Sequence, residues 1–150
     1  GLLRYRCDDL RAADALRAWL HHLLLCAAVP SDVEPRTTWL ARDGALVLRR
    51  CDDARAQLER LLALYARGLV APLPFFPKSA WAYMRHGRSA AKAKSAWQAS
   101  PRRPHGEQAD PAWRLVLRGR PDPLDADFAA FDACAETVFA PLLDCAEALP

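Results

Sequence analysis

Residues 37–49 read Thr-Thr-Trp-Leu-Ala-Arg-Asp-Gly-Ala-Leu-Val-Leu-Arg, and they give the strongest local indication of structure in this chain. Two short apolar runs, residues 37–41 and 45–49, lie on either side of Arg42-Asp43-Gly44. Asp-Gly between two such runs is typical of a tight β-hairpin turn. The sequence therefore predicts two antiparallel strands at this point.

The segment before the hairpin predicts a strand followed by a long helix. Residues 2–6 read Leu-Leu-Arg-Tyr-Arg, an alternating run that is typical of a strand. Asp8 or Asp9 is expected to cap the helix, which runs to about Ala28. Its predicted buried face, taken from helical spacing, consists of Leu10, Ala13, Leu16, Leu20, Leu23 and Leu24.

The segment after the hairpin predicts a second helix and then a proline-rich connector. Asp52 or Asp53 is expected to cap this helix, and Gly68 is expected to end it. Its predicted buried face consists of Leu58, Leu61, Leu62, Tyr65 and Leu69. Residues 71–77, Ala-Pro-Leu-Pro-Phe-Phe-Pro, cannot form a regular helix or a central strand. We expect an extended, buried connector, with an exposed docking ligand as the alternative.

The rest of the chain predicts further helices. Residues 78–85 and 88–99 indicate two short helices that break near Gly87. Asp110 is expected to cap a helix through Leu117. A last helix is expected to open at Asp122 or Asp125, with apolar positions at Leu124, Phe128, Phe131, Ala135, Val138 and Leu142. The predicted fold class is α+β (α/β), mostly helical with a small sheet, in one domain over residues 1–150 that belongs to a longer chain.

Charge is distributed unevenly along the sequence. Residues 60–106 carry nine basic side chains and no acidic one, whereas residues 107–150 carry nine acidic and three basic side chains. An acid-free basic block suggests a polyanion or an acidic protein surface as its partner. The alternative is that the acidic segment folds against the basic one, and the sequence leaves both interpretations open.

Several classes of protein are not indicated by the sequence. The five cysteines form no Cys-x-x-Cys pair, so we expect free thiols in a reducing cytoplasm rather than a disulfide framework or a zinc site. No apolar run is long enough to span a membrane. There is no phosphate loop, no dinucleotide fingerprint and no His-Glu-x-x-His. We therefore expect no cofactor, metal or small-molecule substrate.

A family resemblance enters with the order of these segments. Its marks are Leu-Leu-Arg-Tyr-Arg, Trp-Leu-Ala-Arg-Asp-Gly, Ala-Pro-Leu-Pro-Phe-Phe-Pro-Lys-Ser-Ala-Trp and Lys-Ala-Lys-Ser-Ala-Trp, with residues 62–73, 106–119 and 138–143 completing the set. In that order they resemble the C-terminal region of RecC, the gamma chain of exodeoxyribonuclease V, over essentially all 150 residues. The resemblance implies a bacterial, cytoplasmic helicase–nuclease subunit.

The resemblance also implies a partial restriction-endonuclease-like fold of the PD-(D/E)xK class that is catalytically inactive. That class holds a divalent metal on two carboxylates, and a lysine two residues after the second one assists the attacking water. In residues 2–6 the acid position falls at Arg4 and the lysine position at Arg6. A cationic Arg4 cannot ligate Mg²⁺, so this domain alone is not expected to be an enzyme, although its parent complex is one.

Candidate DNA-binding residues come from the basic block. Its cations could follow the backbone of single-stranded or forked DNA, and its tryptophans could stack bases. The alternatives are a solvated or partner-facing surface for the charges and a core position for the tryptophans. The candidates are Lys78, Arg85, Arg88, Lys92, Lys94, Arg102, Arg103, Trp81 and Trp97.

The expected function is a non-catalytic scaffold and DNA-handling domain in the repair of DNA double-strand breaks and in recombination. The partners that the resemblance implies are RecB-type and RecD-type helicase subunits. Two other functions stay open. One is a protein–protein interaction module without DNA contact, and the other is an active Mg²⁺-dependent nuclease of the same fold.

Overall fold

The computed structural model describes residues 1–28, 31–100 and 105–149. It is an α+β structure, mostly helical with one four-stranded sheet, as the sequence predicts. The strands are β1 (Leu2–Tyr5), β2 (Thr37–Ala41), β3 (Gly44–Leu48) and β4 (Ala146–Ala148). The helices are α1 (Ala12–Ala28), α2 (Ala54–Val70), α3 (Pro77–Arg85), α4 (Ala90–Trp97), α5 (Pro111–Val116), α6 (Pro123–Ala126) and α7 (Phe128–Cys145), with a 3-10 helix at Glu107–Ala109.

The chain divides into two compact units. Unit 1 consists of Gly1–Tyr65 with Pro141–Pro150 and contains the sheet, and unit 2 consists of Ala66–Ala140 and is helical. That residues 1–150 act as one functional domain stays a prediction.

The sheet of unit 1 has the order β1-β2-β3-β4. Strand β1 pairs in parallel with β2, and α1 supplies the long crossover that a parallel pair requires. Strands β2 and β3 form the predicted hairpin, in which Ala41 pairs with Gly44. Gly44 has a φ of 146°, which a residue with a side chain rarely adopts. The hairpin prediction is confirmed.

The two faces of the sheet differ in burial. Thr37 and Trp39 on β2, with their partners Leu48 and Leu46 on β3, are almost completely buried on one face. His22 of α1 bonds Thr37 on this face, with 2.9 Å between Nδ1 and Oγ1. The opposite face exposes apolar side chains: Leu3, Tyr5 and Leu40 are 67%, 80% and 44% exposed.

Helix α1 begins later than predicted and faces its sheet with different residues. It starts at Ala12 rather than after Asp8 or Asp9, because these two carboxylates pair with arginines. Leu20 and Leu24 of the predicted face are exposed. The buried residues of the helix are Ala12, Asp14, Ala15, Ala18, Trp19, His22, Leu23 and Cys26. Small and aromatic side chains therefore form the contact face, and part of the leucine set points to solvent.

Helix α2 also departs from its prediction. Leu62, Tyr65 and Leu69 are 64–70% exposed, so most of the predicted buried face is open to solvent. Gly68 does not end the helix, which continues to Val70. A Cβ at Gly68 would lie 3.2 Å from Leu73 Cδ1, so this glycine provides room for the proline-rich segment that follows.

Unit 2 is built around aromatic rings. Phe76, 1% exposed, contacts the rings of Trp97, Trp113 and Phe131 at centroid distances of 4.3, 4.8 and 6.1 Å. Residues 71–76 form no helix or strand, as predicted, and the burial of Phe76 favours the connector interpretation over a docking ligand.

The last helical segment is two helices, not one. Asp122 caps α6 by accepting a 2.9 Å hydrogen bond from the amide of Leu124, and α7 starts after Asp127. Five of the six predicted apolar positions are buried: Leu124, Phe131, Ala135, Val138 and Leu142. Asp110 caps α5 as predicted, and α4 ends at Trp97, two residues early.

Candidate nucleic-acid interface

Arg4 and Arg6, the two positions where the nuclease class needs an acid and a lysine, take different roles on β1. Arg4 pairs in register with Trp39, and its side chain is exposed. Within the described residues Arg4 makes no ion pair. The amide of Arg6 donates to the carbonyl of Leu40 at 2.8 Å, which extends the pairing of the strand.

The Arg6 guanidinium is held by carboxylates of unit 1. Its Nη1 lies 3.1 Å from an oxygen of Asp14, which is 3% exposed, and its Nη2 lies 3.4 Å from Asp8. Asp8 also pairs with Arg11 and with Arg42. The amide of Asp9, followed by Arg11 and Arg6, holds the pKa of the Asp8 carboxyl below its usual value. Arg6 therefore serves as a counter-ion that connects β1 to the start of α1.

The described residues 1–28, 31–100 and 105–149 contain no group of three His, Cys, Asp or Glu side chains that could hold a metal ion. No helix among them has the length and apolar character needed to cross a bilayer.

Two cations of the basic segment are engaged by acids of unit 2. Arg88 lies at a φ of 62° and pairs with Asp132 at 2.6 Å and Glu136 at 3.1 Å. Lys94 pairs with Asp125 at 2.5 Å. For these two cations, the interpretation that the acidic segment folds against the basic one is supported.

The remaining basic candidates have different surroundings. Lys78 on α3 and Lys92 on α4 are exposed and take part in no ion pair among the described residues. Arg85 is half-buried and is in contact with other groups. Arg102 and Arg103 lie outside the described residues. Among the described candidates, Lys78 and Lys92 are therefore the exposed cations that no acid engages.

Trp81 and Trp97 are core residues in this structure. Their exposures are 6% and 2%, and their rings lie 5.2 Å from Phe139 and 4.3 Å from Phe76 between centroids. The indole nitrogen of Trp97 donates to Asp122 at 3.0 Å. Neither ring presents an open face for a base, so the core interpretation that the sequence left open is supported.

Sequence reasoning missed the role of Glu107. This residue is 5% exposed, and its carboxylate accepts hydrogen bonds from the amides of Lys78 and Ser79 at 3.0 and 2.8 Å and from the Ser79 hydroxyl at 2.8 Å. A carboxylate in this position accepts hydrogen bonds from the free amides at the start of α3 and interacts favourably with the positive end of the helix dipole. The only hint in the sequence is that it is the first acid after a long acid-free block.

All five cysteines are free thiols. Cys26, Cys51 and Cys134 are buried, Cys145 is half-buried and Cys7 is exposed. Burial raises the pKa of the Cys51 thiol far above its ordinary value, and a hydrogen bond to Asp53 adds to the effect. Burial also raises the pKa of the Cys134 thiol, so Cys51 and Cys134 are protonated at neutral pH.

Comparison with known proteins defines the family. Residues 1–88 match the model of the RecC C-terminal domain, which is more than half of the chain. The chain therefore belongs to the RecC C-terminal domain family. The matched region contains the whole of β1 to α3, including Arg4, Arg6, Lys78 and Trp81.

A curated relative agrees with the family. The chain is 33% identical over 87 residues to the RecBCD enzyme subunit RecC of Escherichia coli strain K12. The aligned part is 57% of this chain and 8% of that protein.

Proposed function

We propose that this chain is a non-catalytic scaffold and DNA-handling domain of an exodeoxyribonuclease V (RecBCD) type complex, acting in double-strand break repair and recombination. The observation that carries the proposal is the match of residues 1–88 to the RecC C-terminal domain. The relative's name states that it is a subunit of the RecBCD enzyme. RecB-type and RecD-type subunits are accordingly the proposed partners, and the cytoplasm is the proposed location.

The non-catalytic part of the proposal is supported by the chemistry of β1, which we interpret as the second catalytic strand of a degenerate PD-(D/E)xK nuclease. It carries no carboxylate, and Arg6 at the lysine position is committed to Asp14. The test is Mg²⁺-dependent cleavage of DNA by the parent subunit without partners. We expect none. Cleavage that survives Arg4→Ala and Arg6→Ala would contradict the match to β1.

The DNA-handling part is supported by the exposed lysines of α3 and α4. Lys78 and Lys92 lie in a segment without acids, and two cations without ion pairs can release counter-ions on binding a phosphate backbone. We expect weak, salt-sensitive affinity for single-stranded DNA in a filter-binding titration, reduced by the pair Lys78→Ala and Lys92→Ala.

A pure protein-interaction module is the second candidate. The ion pairs of Arg88 and Lys94 favour it, because they remove two cations from the proposed DNA path. Absence of DNA affinity at low salt, together with co-purification of the two helicase subunits with the parent subunit, would select this function over DNA handling.

A further inference from the structure

Unit 2 contains an open apolar groove. It is formed by the C-terminal end of α2, the proline-rich segment and α5. Its cavity volume is about 530 Å³. The residues that line it are Gly68, Leu69, Val70, Ala71, Pro72, Leu73, Phe75, Ala112, Trp113 and Val116. None of them has a charged side chain, and we refer to this set as the α5 groove.

Large apolar side chains in and beside the α5 groove are exposed to solvent. Leu69 is 70% exposed and Val70 is 90% exposed, and Leu115 on α5 is 73% exposed. A second cavity of about 320 Å³ adjoins the groove and shares Pro72, Leu73, Trp113 and Val116 with it. Clustered exposed apolar surface of this kind marks an interaction site more often than a scattered leucine does.

Three arginines lie on α5 or in the turn that follows it. Arg114, Arg118 and Arg120 are all exposed, and within the described residues none of them forms an ion pair. Arg120 also lines the second cavity. These three are the only basic side chains in residues 107–150, and Arg120 lies in the cavity that adjoins the groove.

The acids near α5 are held by helix ends. Asp110 accepts from the amide of Ala112 at 2.8 Å, and Asp127, which lines the second cavity, accepts from the amide of Ala130 at 3.0 Å. A carboxylate at a helix N-terminus is offset by the positive end of the helix dipole. Because none of the three arginines forms an ion pair among the described residues, an incoming ligand can supply carboxylates to them.

We propose that the α5 groove binds an amphipathic segment of a partner protein that carries apolar side chains on one face and carboxylates beside them. Recognition of a helix in a groove uses apolar anchors spaced three and four residues apart, which the aliphatic lining accepts. Single-stranded nucleic acid fits less well, because only two of the ten lining side chains are aromatic. A second copy fits less well because it brings the same arginines.

The α5 groove would be the surface through which the chain acts as a scaffold, so this inference rests on the proposed function.

The experiment measures the binding of fluorescently labelled synthetic peptides to the chain by anisotropy. One peptide combines leucines spaced three and four residues apart with glutamate and alanine. In the second peptide lysine replaces glutamate, and in the third serine replaces leucine. We expect saturable binding of the first peptide and at least tenfold weaker binding of the other two.

Variants of the chain locate the binding site. Leu69→Ser with Val70→Ser is expected to weaken the acidic peptide about tenfold, and Arg120→Gln to weaken it several-fold and to reduce its dependence on salt. Leu24→Ser is the matched control, because Leu24 is 56% exposed on α1 of unit 1, and it is expected to change nothing. Circular dichroism verifies that each variant is folded.

Other results would overturn the proposal. Equal binding of the acidic and the basic peptide, or no effect of the Leu69 and Val70 changes on peptide binding, would contradict the proposed occupant. Preferential binding of oligo-dT that depends on Arg120 would indicate nucleic acid instead. A dimer of the chain that Val70→Ser dissociates would indicate a second copy. Co-purification of the helicase subunits with a parent subunit whose chain binds no peptide would remove the groove proposal alone. Peptide binding without subunit assembly would remove the scaffold role and leave the groove.

Discussion

The guanidinium of Arg88 binds both carboxylate oxygens of Asp132, with its Nη2 at 2.7 and 2.6 Å. Glu136 adds a further oxygen at 3.1 Å, and the hydroxyl of Tyr83 donates to Asp132 at 2.8 Å. These contacts connect the turn after α3 to α7 within unit 2. A hydrogen bond from Arg88 Nε to the Tyr83 hydroxyl at 3.4 Å and the bonds to Asp132 hold the pKa of Arg88 above its usual value, so this side chain is a structural cation.

Replacing Arg88 with glycine or with alanine distinguishes the contribution of its ion pair to stability from the cost of its backbone conformation. Both changes remove the ion pair with Asp132, which is partly exposed and contributes modestly to the stability of the fold. Only alanine retains a Cβ at the φ of 62°, and a left-handed conformation costs a residue with a Cβ about 1 kcal/mol. We expect Arg88→Gly to be more stable than Arg88→Ala by about 1 kcal/mol in urea unfolding. Equal stabilities would show that the turn relaxes.

The ion pairs also allow a test of which cations reach DNA. Asp132→Asn releases Arg88 from its main partner without removing the arginine. If Arg88 lies beside a DNA path, the affinity for single-stranded DNA at low salt should rise about two- to threefold and its salt dependence should steepen. Glu59→Gln, on exposed α2 surface outside the basic segment, is the control of equal charge change. If both variants raise the DNA affinity equally, the change in net charge explains the increase and Arg88 has no specific role in it.

Local signals in the sequence predicted strands β1, β2 and β3 and most helix positions. The Asp43-Gly44 turn fixed the hairpin, and the apolar spacing of α7 identified its buried face, because each signal is decided within a few residues. Strand β4 was missed. Its sequence, Ala-Glu-Ala, favours a helix, and it forms a strand because its backbone pairs with β3.

Long-range contacts explain the remaining errors. The leucines of α1 and α2 offer two possible faces at helical spacing, and spacing alone does not say which one meets a neighbour. Asp8 or Asp9 was interpreted as a cap, but Asp8 pairs with its neighbours Arg6 and Arg11 and with the distant Arg42, and Arg42 also binds Asp9. The accessibility of Lys78 relative to Lys94 depends on Asp125, which is 31 residues from Lys94.

Asp14 is expected to be important for the stability of unit 1. Its carboxylate is 3% exposed and accepts from Arg6 and from the amide of Arg11 at 3.2 Å. Breaking a fully buried ion pair costs roughly 3–5 kcal/mol, but Arg6 is partly exposed, so we expect Asp14→Asn to cost about 2 kcal/mol. Asp9→Asn removes the exposed pair with Arg42 and should cost under about 0.5 kcal/mol. Similar losses in urea unfolding for both variants would contradict the importance of burial.

His22 is expected to make the stability of the chain depend on pH in a defined window. It is fully buried in unit 1, and desolvation lowers its pKa below the ordinary 6.5, although a hydrogen bond to the carbonyl of Arg49 opposes the shift. The unfolded chain therefore binds a proton at His22 before the folded chain does. Stability is present above pH 6.5 and is lost as the pH falls below that value, with a slope of up to about 1.4 kcal/mol per pH unit.

The measurement is urea unfolding of the chain at intervals between pH 7.5 and 5. The stability that Asp8 contributes through its lowered pKa is present throughout this window, because it is lost only as the pH falls toward and below the ordinary value of 3.8. His22→Gln should be less stable at pH 7.5, because Thr37 and Arg49 lose well-placed partners, and its stability should fall less steeply with acid. His86→Gln, at an exposed histidine of unit 2, should retain the wild-type slope. If His22→Gln keeps the wild-type slope as well, protonation of His22 is not the cause of the fall in stability with acid.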